Sequence, residues 1–342
     1  MKSRNYGLDL MRVVLSLCVI TMHSLGYFEL GNYYVAIGLP LLLISADGLF
    51  YIASGYFNLE KEFNSSSDIK KYYKNKILYV LFPFLAFVFV WTVWDYVHLY
   101  NEFDFLEILK IYYESIVDKS ADGHMWFMYP LFGMLLATPF LSKMLHAMDE
   151  KELKILWYVA LGFNFFQYFL CYDFGFDFRF SYWFMDGWPT YYVGGYYYRH
   201  VIAKESKIKW LALGLIGYAI TFLGAQGLLP FLDGFVGGTD NQMMLVIFCM
   251  ASFMFWDKTF KIKEGKLAKV ITILSKNTYM IYLYHMRGIE YAVRKLSITG
   301  CDLKSGLLVV FGAFIFSLIA AYVTNLCMKP VQKFVDKKWA IK

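Results

Sequence analysis

The chain has 342 residues, 59% of them hydrophobic, 21% aromatic and 18% charged, with a mean hydropathy of +0.45. Soluble domains carry about 45–50% apolar and about 25% charged residues, so this composition cannot clothe a soluble surface, and it equally excludes a disordered chain, a coiled coil and a disulfide-built scaffold. The net charge of +6 comes with no phosphate loop or nucleic-acid motif, and the five scattered cysteines form no metal-type pair; the composition is that of an all-α, polytopic membrane protein.

In chain order, apolar stretches of the roughly 20 residues that a helix needs to cross a bilayer fall at 8–28, 36–58, 77–97, 125–145, 154–172, 184–203, 210–229, 241–257, 270–290 and 305–328. They predict a transmembrane bundle of about ten helices. Placing the N-terminus in the cytoplasm puts most of the 33 basic residues on the inner side: Lys2, Arg4 and Arg12, then the lysines and arginines of 61–76, 143–154, 199–209, 258–269 and 329–342. Basic residues are retained on that side, so both termini are expected in the cytoplasm and the chain in the plasma membrane. The first apolar stretch is full length and lacks a small-residue cleavage site, which reads as a retained helix. The largest outer loop, 98–123, is acidic, and its segment 103–116 has helical spacing suited to the membrane surface. No repeat or low-complexity block interrupts 1–342, so one membrane domain is expected, with no soluble domain after the tenth span.

Ionisable groups inside apolar spans are costly and usually face the protein interior, which makes the few in this chain the functional candidates. Arg12 and His23 in the first helix are eleven residues apart, three turns plus about 20°, so they project from one face about 16 Å apart along the axis. Asp9, three residues before Arg12, can pair with it. Arg12 lies near the inner boundary, where a guanidinium can hold a phosphate or carboxylate. His23 lies toward the outer face, where a neutral imidazole can take a proton from a hydroxyl. A plainer reading has Asp9 and Arg12 anchor the helix start and His23 bond a neighbouring helix, and spacing alone does not choose between them.

His124, opening the fourth span, and His285, near the outer end of the ninth, fall at the depth of His23. Each also fits a structural hydrogen-bonder, and no ligand pair has the local spacing of a metal site. Asp47, in the middle of the second span, can orient His23, pair with Lys276 or sit protonated against backbone. His98, His146 and His200 lie in loops or at helix ends and read as structural.

Four separated segments then resemble the acyltransferase-3 family of bacterial membrane acyltransferases. Arg12, ten intervening residues and His23, with Asp9 before them, match its arginine–ten–histidine motif. Gly-Leu-Phe-Tyr-Ile-Ala-Ser-Gly-Tyr-Phe (48–57), His-Met-Trp-Phe-Met-Tyr-Pro-Leu (124–131) followed by Pro139, and Ser-Lys-Asn-Thr-Tyr-Met-Ile-Tyr-Leu-Tyr-His (275–285) are similar to three further family segments, in the family's order. One departure concerns the arginine pair that the family carries at the entry to the third span. Here 70–83 reads Lys-Lys-Tyr-Tyr-Lys-Asn-Lys-Ile-Leu-Tyr-Val-Leu-Phe-Pro. Lysines keep the charge but not the bidentate grip, and Lys74 and Lys76 are the expected substitutes.

The resemblance implies transfer of an acyl group, usually acetyl, from cytoplasmic acyl-CoA to a hydroxyl of an extracytoplasmic glycan or lipid-linked glycan. Arg12, Lys74 and Lys76 would hold the CoA phosphates, and His23 would act as general base or carry the acyl group as nucleophile, oriented by Asp47. His124, Trp126, Tyr129 and His285 would serve the acceptor site or the structure; Tyr182, Trp183 and Trp188 would stack on sugar rings or form an interfacial belt. No metal is called for, no nucleic acid, and glycan-assembly proteins are the expected partners. The competing reading is a transporter or flippase for a lipid-linked glycan, whose buried polar residues line a path without consuming acyl-CoA. A haem carrier built on His23, His124 and His285 is a third reading.

Overall fold

The computed structural model describes residues 4–117, 123–168, 185, 187–226, 228 and 243–338, and every regular element among them is a helix. In order these are α1 (Tyr6–His23), α2 (Tyr33–Asn58), α3 (Ser66–Lys76), α4 (Phe82–Tyr100), α5 (Phe105–Val117), α6 (Met128–His146), α7 (Glu150–Tyr168), α8 (Trp188–His200), α9 (Lys207–Ala225), α10 (Met243–Thr259), α11 (Lys266–Lys295) and α12 (Leu303–Lys338). Lipid offers backbone groups no hydrogen-bond partners, so a spanning segment must satisfy them internally, which a helix does.

Among the described residues, each of the ten predicted segments overlaps a helix. Six helical stretches are, among the described residues, long and apolar enough to cross a bilayer: Tyr6–His23, Tyr33–Asn58, Ser66–Tyr100, Gly123–His146, Lys207–Ala225 and Leu303–Lys337. The remaining predicted segments carry more charge or are shorter. The 13 residues of α8 rise about 20 Å, against a hydrocarbon core of about 30 Å. By contrast, α11 is long at 30 residues but holds six basic side chains between Lys266 and Lys295. Large apolar side chains stand outward in numbers that no soluble surface tolerates, among them Leu215, Ile315 and Ile319, each more than half exposed.

Helix starts follow side-chain caps. Asn5 and Asn32 accept the first backbone N–H groups of α1 and α2, and Ser65 with Asp68 forms a reciprocal capping box on α3. Between α3 and α4 the chain stays helical through a π turn, 77–81. Pro83 has no N–H to return to the carbonyl four residues back, and Phe82 N–H reaches Ile77 O instead. The predicted surface segment of the outer loop is α5, tied to its neighbours by Tyr112 Oη donating to Leu85 O at 3.3 Å and Tyr129 Oη donating to Ile116 O at 2.8 Å.

The chain divides into two compact units, Met1–Glu62 with Phe140–Tyr322, and Phe63–Pro139 with Val323–Lys342. In the larger unit α2 and α8 approach closely at glycine. A Cβ on Gly55 of α2 would lie 1.7 Å from Tyr192 O, and one on Gly195 of α8 would lie 2.2 Å from Ile52 O. Small residues at such crossings let backbones touch, the commonest way membrane helices gain packing energy. At Gly133 on α6, by contrast, an added Cβ meets nothing within 4 Å.

Gly55→Ala is therefore expected to destabilise the purified protein by at least the roughly 1–3 kcal/mol of an overpacked core, read as a lowered Tm in detergent. Gly133→Ala should leave Tm unchanged or raise it slightly. Equal melting of the two variants would contradict the close α2–α8 contact.

Candidate active site

The site grows from the start of α1. Asn5 caps the helix through Oδ1, at 3.1 Å from Gly7 N and 3.2 Å from Leu8 N. Its Nδ2 donates to Asp257 Oδ1 on α10 at 2.6 Å, and the other oxygen of Asp257 accepts from Tyr198 Oη of α8 at 2.6 Å. Gly7 fits directly beneath this bridge, where a Cβ would stand 2.6 Å from Phe260 O and 2.8 Å from Trp256 O. The first turn of α1 is thus held by hydrogen bonds on one side and by backbone contact on the other.

On this fixed turn sits Asp9, a buried carboxylate 4% exposed. One oxygen accepts from Arg12 Nη2 at 2.7 Å and the other from Arg4 Nε. Arg4 also donates to Ser275 Oγ of α11 at 3.3 Å. A buried charge must be paired, and here one carboxylate steadies two guanidinium groups. Arg12 Nε, buried, has no hydrogen-bond partner among the described residues.

At the far end of α1, His23 is exposed and meets His285 of α11, with ring centroids 5.1 Å apart and planes inclined by 43°. His285 is fully buried. Its Nδ1 donates to Tyr282 O, which fixes the tautomer and leaves Nε2 as the basic nitrogen of the neutral ring. The Tyr282 ring lies 5.6 Å from that of His285. Asp47 of α2 is half-buried and within electrostatic range of Tyr282, Tyr51 and Cys249. A narrow cavity lined by Ser16, Val19, Phe50, Ile281, Tyr282 and His285 opens beside the histidine pair.

The smaller unit holds Lys74, Lys76, His124, Trp126 and Tyr129. Lys74 forms an ion pair with Asp336 of α12 at 2.9 Å, and Lys76 lies over the Tyr72 ring at 5.2 Å. His124 is buried in the 3₁₀ turn Gly123–Phe127, and Trp126 packs edge-on to Phe127 in the same turn. Tyr129 uses its hydroxyl on the end of α5. Trp188 stacks at 4.8 Å on the fully buried Tyr51, so its ring is built into the larger unit. Tyr182 and Trp183 lie outside the described residues. The histidines read as structural have such surroundings: His98 stacks on Trp94, His146 bonds Leu59 O, and His200 meets Glu60.

The structure therefore joins Asp9 to Arg12 and His23 to His285, both on α1 against α11. The sequence reading passed over Asn5 and Asp257, and took Ser275 only as the start of a family segment. Asn5, a cap residue directly before an apolar run, carried a readable signal; Asp257 and Ser275 gain their roles only from helices distant in sequence. Among the described residues no group of three His, Cys, Asp or Glu side chains is placed to hold a metal.

The model of a protein family described as an acyltransferase domain, acyltransferase-3, matches residues 5–326. The chain belongs to the acyltransferase-3 family. No curated protein and no solved structure matches it. As an acyltransferase of this family, with helices apolar enough to cross a bilayer, it is a membrane enzyme, and the matched region takes in every candidate residue named above.

The two histidines of this acyltransferase differ sharply in exposure, and a small acylating reagent should separate them. Diethyl pyrocarbonate is expected to modify His23 at least tenfold faster than His285 in the folded protein, read by peptide mass spectrometry. Equal rates would refute the buried placement of His285.

Proposed function

We propose that this acyltransferase moves an acetyl group from cytoplasmic acyl-CoA to a hydroxyl of an extracytoplasmic glycan or lipid-linked glycan. One observation carries the reading: Arg12 and His23 stand on one face of one helix, the first braced by a buried carboxylate and the second set against His285. That arrangement gives an anion-holding station and a proton-accepting station joined by a rigid rod. The proposal takes the chain as a ten-span protein of the plasma membrane with both termini in the cytoplasm, the orientation favoured by its basic residues. Arg12 then faces the side where acyl-CoA is available, and His23 the side where the glycan is.

In the reaction, Arg12 holds a CoA phosphate, and the pantetheine arm follows α1 outward. His23 takes the proton of the acceptor hydroxyl as its oxygen attacks the thioester carbonyl. The tetrahedral intermediate collapses with cleavage of the C–S bond, and the proton passes from His23 to the departing CoA sulfur. Acyl-CoA and alcohol become ester and CoA thiol, and His23 is again neutral. His285, with its proton fixed on Nδ1, is a positioning residue that orients the His23 ring. Asp47 acts further out, biasing the tyrosine cluster next to His285. Glycan-assembly proteins are the natural neighbours of such an enzyme in the bilayer.

Cells carrying His23→Ala should lose surface-glycan O-acetylation by at least the roughly 10²–10⁴-fold contributed by a general base, with equal amounts of protein inserted. Undiminished acetylation would remove His23 from the chemistry. Arg12→Ala should instead raise KM for acetyl-CoA with a smaller change in kcat, since it strips a contact made in the ground state as well as the transition state.

A further inference from the structure

Between Arg12 and His23 the same face of α1 presents Ser16 and Val19, at intervals of four, three and four residues. That spacing keeps all four side chains in one stripe. Ser16 and Val19 form one wall of the narrow cavity; Phe50 of α2 closes a second side, and Ile281, Tyr282 and His285 of α11 close the third. The space accommodates about one water-sized group. Ser16 Oγ donates to Arg12 O at 3.0 Å within its own helix, and Val19, Phe50 and Ile281 contribute only apolar surface. An apolar void of this kind stays dry, and a methyl group suits it better than water.

Its position matters as much as its size. The cavity lies on the line from the Arg12 station to the His23 station, and one end is His285, whose ring faces His23. Of its walls, Ile281 is fully buried, Val19 nearly so and Phe50 half-buried. Three residues beyond His285, α11 is locked against α12 at Gly288, where a Cβ would come within 2.7 Å of Ala313 O.

We propose that this cavity seats the acyl group of the donor thioester, and that Val19, Phe50 and Ile281 fix its length at two carbons. The inference rests on the reading that an acyl-CoA arm runs along α1 from Arg12 to His23. The methyl of an acetyl group fills the void, while the carbonyl carbon stays at the mouth beside the histidines. Each further methylene must displace Phe50 or Ile281 in a close-packed interior. One methylene in a hydrophobic pocket separates substrates by about 10–200-fold, so a butyryl group should be discriminated against strongly.

The test uses the full chain in native membrane vesicles that retain the glycan acceptor, supplied with acetyl-, propionyl- or butyryl-CoA, with CoA thiol release as readout. The wild type should turn over butyryl-CoA at less than about one tenth of the acetyl rate, in line with the cost of misfit methylenes. Val19→Ala and Phe50→Leu should each raise the butyryl-to-acetyl ratio about tenfold or more, the size of effect a methylene-scale pocket change produces. Val19→Ala removes little packing and keeps the test informative where Phe50→Leu fails to fold. Acetyl-CoA turnover with a ratio that neither variant moves overturns the cavity's role while leaving the acyl-CoA reading intact. No turnover of any acyl-CoA by the wild type overturns that reading and the cavity assignment with it.

Discussion

A single buried carboxylate sets the geometry of the candidate site. Asp9 sits inside the larger unit with a guanidinium on each oxygen, Arg12 from its own helix and Arg4 from the segment before it. Removing both partners would leave an uncompensated charge in a low-dielectric interior, where the penalty is several kcal/mol. Arg12 is accordingly not a basic residue at the edge of a span, free to reach wherever a headgroup lies. Its position is defined relative to α11 through Arg4 and Ser275, and relative to α10 through Asn5 and Asp257. A rotation of α1 by one residue would break all of these contacts and would also turn His23 away from His285.

The same register is enforced by packing. Gly7 fits against two carbonyls at the end of α10, and α1 and α11 meet at both ends, Arg4 with Ser275 and His23 with His285. Those contacts follow the same order along both helices, so the two run side by side in one direction. Polar contacts specify this arrangement, and close-packed apolar side chains make it stiff. Transfer of an acyl group between two distant substrates needs that stiffness, because a misplacement of about 1 Å can cost 10²-fold in rate.

Much of α1 was legible before any coordinates. The interval between Arg12 and His23 places them on one face, the three-residue step from Asp9 to Arg12 is that of a helical pair, and the apolar runs each overlap a helix among the described residues. The amphipathic segment of the outer loop is a helix over nearly its predicted extent. What remained hidden depends on which helices are neighbours. His124 and His285 were equivalent by depth, yet His285 is the one on the helix that lies against α1. Trp188 looked like a surface aromatic, but tertiary packing stacks it on Tyr51. Lys74 was expected to stand in for a phosphate-holding arginine, and its ion pair is with Asp336, more than 250 residues away in sequence. Periodicity reports the face that a side chain occupies; it carries no record of what that face meets.

The contrast between the two histidines suits the chemistry proposed for them. A base that must accept a proton from a large, hydrophilic acceptor has to be reachable, and His23 at the open end of α1 is exposed. An imidazole that only orients another gains from the opposite condition. His285 is buried, its tautomer is set by the carbonyl of Tyr282, and its ring forms part of the cavity wall. Exchanging the two environments would defeat both roles: a buried His23 would be closed to a glycan, and an exposed His285 would rotate freely and select no ring orientation in its partner. The order of residues along α1 then acquires a physical reason. The anion-holding arginine, the small and apolar residues that leave a void, and the accessible base succeed one another in the order in which a thioester arm would encounter them from inside to outside.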